Sequence, residues 1–430
     1  MFPGAERVAA VSLGVVAGAV GVAAAASAQT LDTSRPRTLV VGTPGAGAPA
    51  DRVDPARTGR SGERLPASSL HREWQLTVNA TVEHAPLVDV HGTTYVVGTR
   101  GEVEAIGRDG VERWKLATEA MDPGPAALLS DGTIVFVDIA GEAVAVRDGA
   151  ERWRTRFGRR DAALPAPLPL EDGGVVVATT RELAALDADG HERARTTLPE
   201  ATTVPLVSAL GRVVAVTTSG AVWTWTPGAP EPTRVASFGS AVDGGAALAD
   251  DHTLIAVTAG QLHLAAVDLV RGTTTTRAVA PGLWLGPPAM RGGTAYLLAL
   301  TPSSELAVVL DASGTELTRA LLASHPSPAA LDGGAVPLMS GPHTAPLVDG
   351  GGTVAFATLE GAIGVVATGP GSSSAQLLAD ACPPSGDRPA FPIGRVGPAA
   401  PVAGLAPLGA GAFVAVCHSG TVLALRGAHR

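Results

Sequence analysis

A short pattern recurs along most of this 430-residue chain and limits its fold more than any other feature. In the first copy, residues 101–106 alternate between polar and apolar positions, Asp109-Gly110 is a turn signal, and Trp114 lies in a following strand. The copies begin 39 to 59 residues apart, at Gly101, Gly141, Arg181, Gly220, Gly260, Ser304, Gly361 and Gly420. A repeat of about 40–45 residues built from short strands is typical of one blade of a β-propeller. The eight copies therefore predict an all-β, eight-bladed propeller.

Each copy contains the pattern of four short antiparallel strands. The repeated strand has an apolar residue at its first inward position in every copy, namely Val103, Ala143, Leu183, Val222, Leu262, Leu306, Ile363 and Val422. Side chains alternate between the two faces of a strand, so this column predicts a face that is buried between blades. Dipeptides of the Asp-Gly type between the strands favour tight hairpins, because glycine adopts a positive φ without steric cost.

The last copy ends close to the final residue, Arg430, and leaves no room for an outer strand. Residues 72–78, at the front of the repeat region, resemble the outer strand around Trp114 and carry Trp74 at the matching place. We expect this segment to complete the last blade and to close the ring, which removes exposed sheet edges. A seven-bladed ring is the alternative, since copies six to eight are widely spaced.

The N-terminal region divides into two parts ahead of the propeller, which is predicted over residues 71–430. Residues 1–28 have a charged Arg7, an apolar run and an Ala-Ser-Ala cleavage signal, and are predicted to be a secretory signal peptide. The alternative is an uncleaved membrane anchor, because the run approaches the length of a membrane span. Residues 29–70 are rich in Pro, Gly and Arg without periodicity, and are predicted to be a disordered linker.

Export and charge limit the possible partners and the chemistry of the two cysteines. A signal peptide implies a periplasmic or extracellular bacterial protein, in which Cys382 and Cys417 can form a disulfide; two free thiols are the alternative. Such a bridge ties the long insertion between copies seven and eight to the closing blade. The net charge of −9 argues against a nucleic-acid partner.

The whole repeat, from Pro86 to Trp114, resembles the pyrroloquinoline-quinone-type (PQQ-like) propeller repeat, whose outer strand carries Gly-x-x-x-Trp. Gly110 to Trp114 and Gly149 to Trp153 match this spacing. The resemblance is strong over about residues 72–198 and weakens toward the C-terminus. It implies that Trp74, Trp114 and Trp153 dock neighbouring blades, with a large apolar contact and one N–H group to satisfy.

Two branches of this family differ in function. Quinoprotein dehydrogenases use the quinone with calcium, adjacent cysteines and an Asn/Glu/Asp calcium cage; BamB-like propellers are non-catalytic scaffolds of outer-membrane protein assembly. Here Cys382 and Cys417 are 35 residues apart, and Asn79 is the only asparagine. The resemblance therefore favours a monomeric scaffold without cofactor, metal or catalytic residues, which binds proteins of the cell envelope and meets the membrane only through a partner or an uncleaved anchor. A PQQ- or metal-dependent oxidoreductase with degenerate repeats is the alternative.

One pair of histidines stands at equivalent places in two repeats. His84 and His343 each precede a proline-led segment that is predicted to be an innermost strand. Innermost strands surround the central channel of a propeller, so the two side chains are a candidate pair for a ligand or a metal at one mouth of the channel. The alternative is that each histidine caps its own strand.

Overall fold

The computed structural model describes the ring as eight four-stranded antiparallel sheets. The described residues are 48, 50, 53–67, 69–161, 164–202, 204–258, 263–278, 283–301, 304–311, 314–324, 344–358, 361–368, 375–378, 381–382 and 402–427. Within them the regular structure is entirely β-strand. Each sheet is one blade, so the predicted eight-bladed propeller is confirmed and the seven-bladed alternative is wrong.

Blades 1 to 4 follow one another along the chain, each as a simple up-and-down sheet. Their strands are β2 (Leu87–Val88), β3 (Thr94–Val97), β4 (Glu102–Ile106) and β5 (Glu112–Ala117); β6 (Ala127–Leu128), β7 (Ile134–Val137), β8 (Glu142–Arg147) and β9 (Ala150–Arg156); β10 (Leu168–Pro169), β11 (Val175–Ala178), β12 (Glu182–Leu186) and β13 (Glu192–Thr197); β14 (Val207–Ala209), β15 (Arg212–Val216), β16 (Ala221–Trp225) and β17 (Thr233–Ser237).

Blades 5 to 7 repeat this order, and blade 8 combines the two ends of the ring. Their strands are β18 (Val242–Leu248), β19 (Thr253–Thr258), β20 (His263–Asp268) and β21 (Thr273–Ala278); β22 (Leu283–Arg291), β23 (Thr294–Thr301), β24 (Ser304–Leu310) and β25 (Glu316–Ser324); β26 (Leu347–Val348), β27 (Thr353–Ala357), β28 (Ile363–Ala367) and β29 (Gln376–Leu378); β30 (Val402–Gly409), β31 (Ala412–Cys417) and β32 (Thr421–Gly427), joined by β1 (Leu70–Thr77).

The ring is closed by β1, which pairs antiparallel with β32 as the outer strand of blade 8. Trp74 lies opposite Ala424 in this pairing, and Leu76 lies opposite Val422. An ion pair between Arg426 Nε and Glu73 Oε2, 3.0 Å apart, joins the same two strands. The prediction that the segment around Trp74 completes the last blade is therefore confirmed.

The core lies between blades, where the apolar faces of neighbouring sheets meet. In one such cluster, Val97 and Val103 of blade 1 pack with Ile134, Phe136 and Val144 of blade 2. The predicted inward column is fully buried in six blades, at Val103, Ala143, Leu183, Val222, Ile363 and Val422. Burying the apolar face of each repeat thus requires its neighbour, as expected for a repeat fold.

Blade 6 departs from the predicted inward column. There Leu306 is only half-buried, whereas Glu305 before it is 2 % exposed. The pairing between β24 and β25 shifts register between these two residues, so the alternation does not continue through them. The corresponding Leu262 of blade 5 lies outside the described residues.

Gly220, at the start of the fourth repeat, lies in a turn that closely approaches the backbone of Ser240. Its φ is +82°, and an added Cβ would lie 2.0 Å from the carbonyl oxygen of Ser240. Gly239 has a φ of +83° with nothing within 4 Å of such a Cβ, so Gly239→Ala is a control for backbone strain alone. We expect Gly239→Ala to cost about 1–2 kcal/mol and Gly220→Ala at least about 1 kcal/mol more, measured by urea unfolding. Equal losses in the two variants would contradict the close approach.

A disulfide joins blade 7 to blade 8. Cys382 follows β29 and Cys417 ends β31, and their Cα atoms are 5.4 Å apart. Both cysteines are fully buried, and Cys382 N–H donates to the carbonyl oxygen of Gly361 at 3.1 Å. The bridge therefore fixes the chain after β29 against the blade that closes the ring.

The predicted signal peptide, residues 1–28, lies outside the described residues. In the described part of the chain, we find no helix with the length and apolar character needed to cross a membrane.

The central channel as candidate functional site

The first strand of each blade is the innermost one. These strands contact one another around the ring, as seen for β2 with β30, β30 with β26, β26 with β22, β22 with β18, β18 with β14, and β10 with β6. Their backbone edges therefore surround the central channel. Such edges carry N–H and C=O groups that need partners wherever they are buried.

A segment from the N-terminal part of the chain lies against these innermost edges. We call residues 48–65 the channel segment; of these, 48, 50 and 53–65 are described. Within residues 53–61, only Asp54 and Arg60 are not fully buried. The channel of this propeller is therefore occupied by the chain itself.

Backbone hydrogen bonds and bridges connect the channel segment to six blades. The backbone of Ala48 exchanges two hydrogen bonds with Val88 in blade 1 (2.7 and 3.0 Å), and Ala50 forms a β-bridge with Ala127 in blade 2. Three backbone N–H groups of the ring donate to the segment: Ser208 in blade 4 to Pro55 O (2.7 Å), Leu248 in blade 5 to Ala56 O (3.1 Å) and Met290 in blade 6 to Thr58 O (2.7 Å). In blade 7, Val348 donates to Gly59 O (2.9 Å) and accepts from Ser61 N–H (2.8 Å). Successive residues of the segment thus contact successive blades.

Side chains of the segment reach the two remaining blades. Glu63 accepts a hydrogen bond from the backbone N–H of Ala410 in blade 8. Arg57 donates to the carbonyl oxygens of Ala166 and Pro167, which directly precede β10 of blade 3. All eight blades therefore have a hydrogen bond or a bridge to the channel segment.

Arg57 is the most deeply buried charge of the segment, with 0 % of its surface exposed. Its Nη2 lies 3.2 Å from Ala166 O and 3.0 Å from Pro167 O. Its Nε lies 2.9 Å from Leu206 O, at the entry to blade 4. A guanidinium presents five N–H donors in a fixed planar fork. The three carbonyl oxygens accept hydrogen bonds from its Nε and Nη2 groups. The negative ends of the carbonyl dipoles face the buried positive charge.

A compact turn sets the conformation around Arg57. Its backbone N–H donates to Asp54 O at 2.9 Å, and its φ is +59°, in the left-handed region. The Asp54 carboxylate accepts hydrogen bonds from both the backbone N–H and the hydroxyl of Thr58. These contacts satisfy polar groups on both sides of Arg57 and orient its side chain toward blades 3 and 4.

The disordered linker was predicted over residues 29–70, and the channel segment falls within that range. Residues 53–61 are buried and hydrogen-bonded to the ring, so a free tether does not describe them. The sequence pattern could not show this, because the contacts of these residues are spread over several blades and produce no sequence period. Arg57 is accordingly a residue that sequence reasoning missed. Residues 29–47 lie outside the described residues, and their linker character remains a prediction.

The histidine pair proposed for the channel mouth remains a prediction. His84 is half-buried and precedes β2 in blade 1, whereas His343 lies outside the described residues. The structure therefore gives no distance between them.

The three tryptophans each contact the next blade. Trp74 of blade 8 packs on Gly110 of blade 1, and its Nε1 donates to Arg108 O at 2.8 Å. Trp153 of blade 2 packs on Gly190 of blade 3, and its Nε1 donates to Ala188 O at 2.9 Å. Trp114 lies against Gly149 and has the ring of Tyr95 at 6.0 Å between centroids. These contacts join blades 8, 1, 2 and 3 along the outside of the ring.

Tyr95 near the Trp114 ring has a shifted pKa. Burial and the nearby Asp89 carboxylate, whose Oδ2 accepts from the phenol at 3.0 Å, raise the pKa of Tyr95 from 10.0 to about 12. A folded-state pKa above the unfolded value contributes stability below pH 10, which is lost as the pH rises toward 12. We expect absorbance titration to show one phenol ionising near pH 12, and Tyr95→Phe to remove that step. Its persistence in the variant would contradict the assignment.

Two clusters of acidic residues and histidine lie in exposed turns. They are Asp187 with Asp189 and His191, and Asp250 with Asp251 and His252. Asp187 Oδ1 accepts the backbone N–H groups of Asp189 and His191, both at 2.9 Å, and Asp250 Oδ1 accepts that of His252 at 2.9 Å. Asp251 raises the pKa of His252 through a hydrogen bond. These contacts are the ordinary hydrogen bonds of Asx-type turns.

Comparison with known proteins gives one family match and several structural ones. The family model described as outer membrane protein assembly factor BamB matches residues 139–229. No curated protein sequence matches the chain. BamB from Moraxella catarrhalis is 15% identical, with a TM-score of 0.57, covering 84% of this chain and 99% of that one.

Two further structures share the fold. The computationally designed Ika8 protein is 14% identical, with a TM-score of 0.60 over 84% of this chain and 99% of its own. Quinohemoprotein alcohol dehydrogenase from Comamonas testosteroni is 13% identical, with a TM-score of 0.60 over 90% of this chain and 81% of its own. At these identities the likeness concerns the fold. The chain therefore shares the fold of an eight-bladed β-propeller with these structures, and residues 139–229 are similar to the BamB family model.

Proposed function

We propose that the chain is a non-catalytic scaffold that binds protein partners in the bacterial cell envelope. The observation that carries this proposal is the occupied channel. The central channel is the enclosed space that a propeller offers to a small cofactor, and here residues 53–61 lie against its innermost strands, with hydrogen bonds to the ring. The two faces of the ring and its outer strands remain for partners, and loops on a rigid scaffold commonly carry binding.

The proposed location is outside the cytoplasm. The predicted signal peptide supports export, and the Cys382–Cys417 disulfide suits an oxidising compartment. The similarity of residues 139–229 to an outer membrane protein assembly factor supports a role in envelope or outer-membrane protein assembly. The closure of the ring by pairing of β1 with β32 supports a monomer.

Affinity capture from envelope extracts tests this function. The full chain and a variant without residues 29–47 serve as baits, so that the predicted linker and the ring are separated. We expect the known components of an outer-membrane assembly machine to be recovered with the full chain. Their absence from every capture would contradict the assembly role and leave the fold untouched.

A PQQ- or metal-dependent oxidoreductase is the second candidate, favoured by the fold match to a quinohemoprotein alcohol dehydrogenase over 90% of this chain. Reconstitution of the purified chain with the quinone and calcium discriminates between the two. A scaffold gives neither a bound-quinone absorbance nor dye reduction with alcohols or sugars. Turnover in this assay would overturn the scaffold proposal.

A further inference from the structure

We propose that the central channel is a peptide-binding site, and that the channel segment is its ligand, bound within the same chain. The site takes a segment with a turn at residues 54–57 and one buried arginine. This inference shares the occupied channel with the proposed function, but it concerns what the ring binds at its axis rather than on its faces.

The backbone contacts are those of a bound peptide. Extended peptides are commonly recognised by hydrogen bonds to exposed strand edges, which provide affinity, while side-chain pockets provide specificity. Here Pro55, Ala56, Thr58 and Gly59 each accept a hydrogen bond from an innermost edge, at 2.7 to 3.1 Å. The ring therefore offers backbone donors around its axis, in blades 4 to 7, that a single peptide segment can satisfy.

The carbonyl oxygens around Arg57 supply the specificity. Ala166, Pro167 and Leu206 direct their oxygens at one guanidinium, at 3.2, 3.0 and 2.9 Å. A lysine ammonium is a compact point charge on a flexible stem and cannot reproduce the planar fork. Hydrogen bonds to a charged group are stronger than those between neutral groups. The pocket therefore distinguishes arginine from lysine as well as from alanine.

The segment is joined to the ring through a short accessible stretch. Ala67 and Ser69 are both exposed, and β1 begins at Leu70. A chain break after Ala67 leaves the described hydrogen bonds of the channel segment intact, because they all lie on the N-terminal side of the break. The segment can therefore be converted into a separate ligand after the whole chain has folded.

The test is a cleavable version of the full chain. A protease recognition sequence is inserted after Ala67, the protein is folded and then cut, and the pieces are followed by size exclusion. We expect the N-terminal fragment to stay with the ring. A fluorescent peptide of residues 48–65 is then expected to exchange with it, as followed by anisotropy.

Peptide variants give the specificity of the site. Arg57→Ala and Arg57→Lys peptides are expected to bind at least about tenfold more weakly than the parent peptide. The Arg60→Ala peptide is the matched control, because Arg60 is exposed in the same segment, and it is expected to bind like the parent.

Three results would overturn the proposal. Immediate loss of the fragment on cutting, unfolding of the cut ring, or equal binding of the Arg57→Ala and parent peptides each shows that the channel is not a site for this segment. The capture and reconstitution experiments on the proposed function are read independently of all three.

Discussion

Replacement of Arg57 by alanine in the full chain is expected to lower the free energy of unfolding by about 3–5 kcal/mol. The truncation removes the hydrogen bonds of a fully buried guanidinium, among them those to Ala166, Pro167 and Leu206. It leaves the carbonyl oxygens of Ala166, Pro167 and Leu206 without those donors, in a place where the rest of the channel segment limits access to water. Unsatisfied buried acceptors and the lost side-chain volume both favour the unfolded state.

Urea or guanidinium unfolding measures this loss as a lower transition midpoint. Arg60→Ala is the control, since an exposed side chain in the same segment is expected to change stability by no more than about 0.5 kcal/mol. Arg57→Lys keeps a positive charge without the planar fork, and we expect an intermediate loss. A change below about 1 kcal/mol in Arg57→Ala would contradict the structural role assigned to this residue.

Removal of the disulfide is expected to have the second large effect. The bridge spans 35 residues between Cys382 and Cys417 and joins blade 7 to the closing blade. A cross-link of this length restricts the unfolded chain, which corresponds to about 2–4 kcal/mol of stability. The Cys382→Ser/Cys417→Ser double variant is therefore expected to unfold at a lower denaturant concentration by this amount.

A control with reductant separates the effect of losing the cross-link from the effect of replacing the two cysteine side chains by serine. The parent chain measured with reductant is expected to resemble the double variant measured without it. A parent chain whose stability is the same with and without reductant, with free thiols verified in the reduced sample, would contradict a stabilising bridge.

Most of the ring could be predicted from the sequence because its signals are local. The strand around Val103, the Asp109-Gly110 turn and Trp114 lie within a few residues of one another, and hairpin geometry converts that order directly into a sheet. Ring closure followed from the likeness of the Trp74 segment to the Trp114 strand. That reasoning succeeded because the last repeat lacked one outer strand, and the Trp74 segment was an outer strand without a repeat of its own.

The channel segment could not be predicted in the same way. Its contacts are between residues far apart in sequence, such as Arg57 Nε with Leu206 O, which are 149 positions apart. No residue type in the segment repeats with a strand or helix period, and the backbone hydrogen bonds of the segment are spread over several blades. Blade 6 shows the same limit on a smaller scale, since the register shift beside Glu305 depends on pairing with β25.

The closing strand has a consequence for the order in which the molecule can fold. Arg426 and Glu73, which pair across β32 and β1, are 353 positions apart, so blade 8 cannot form until nearly the whole chain has been made. Such distant pairing slows folding and prolongs the exposure of unpaired edges. The channel segment ends only a few residues before β1, so it is tethered at the axis when that last pairing occurs. We therefore expect the channel segment to lie at the axis already when blade 8 forms and the ring closes.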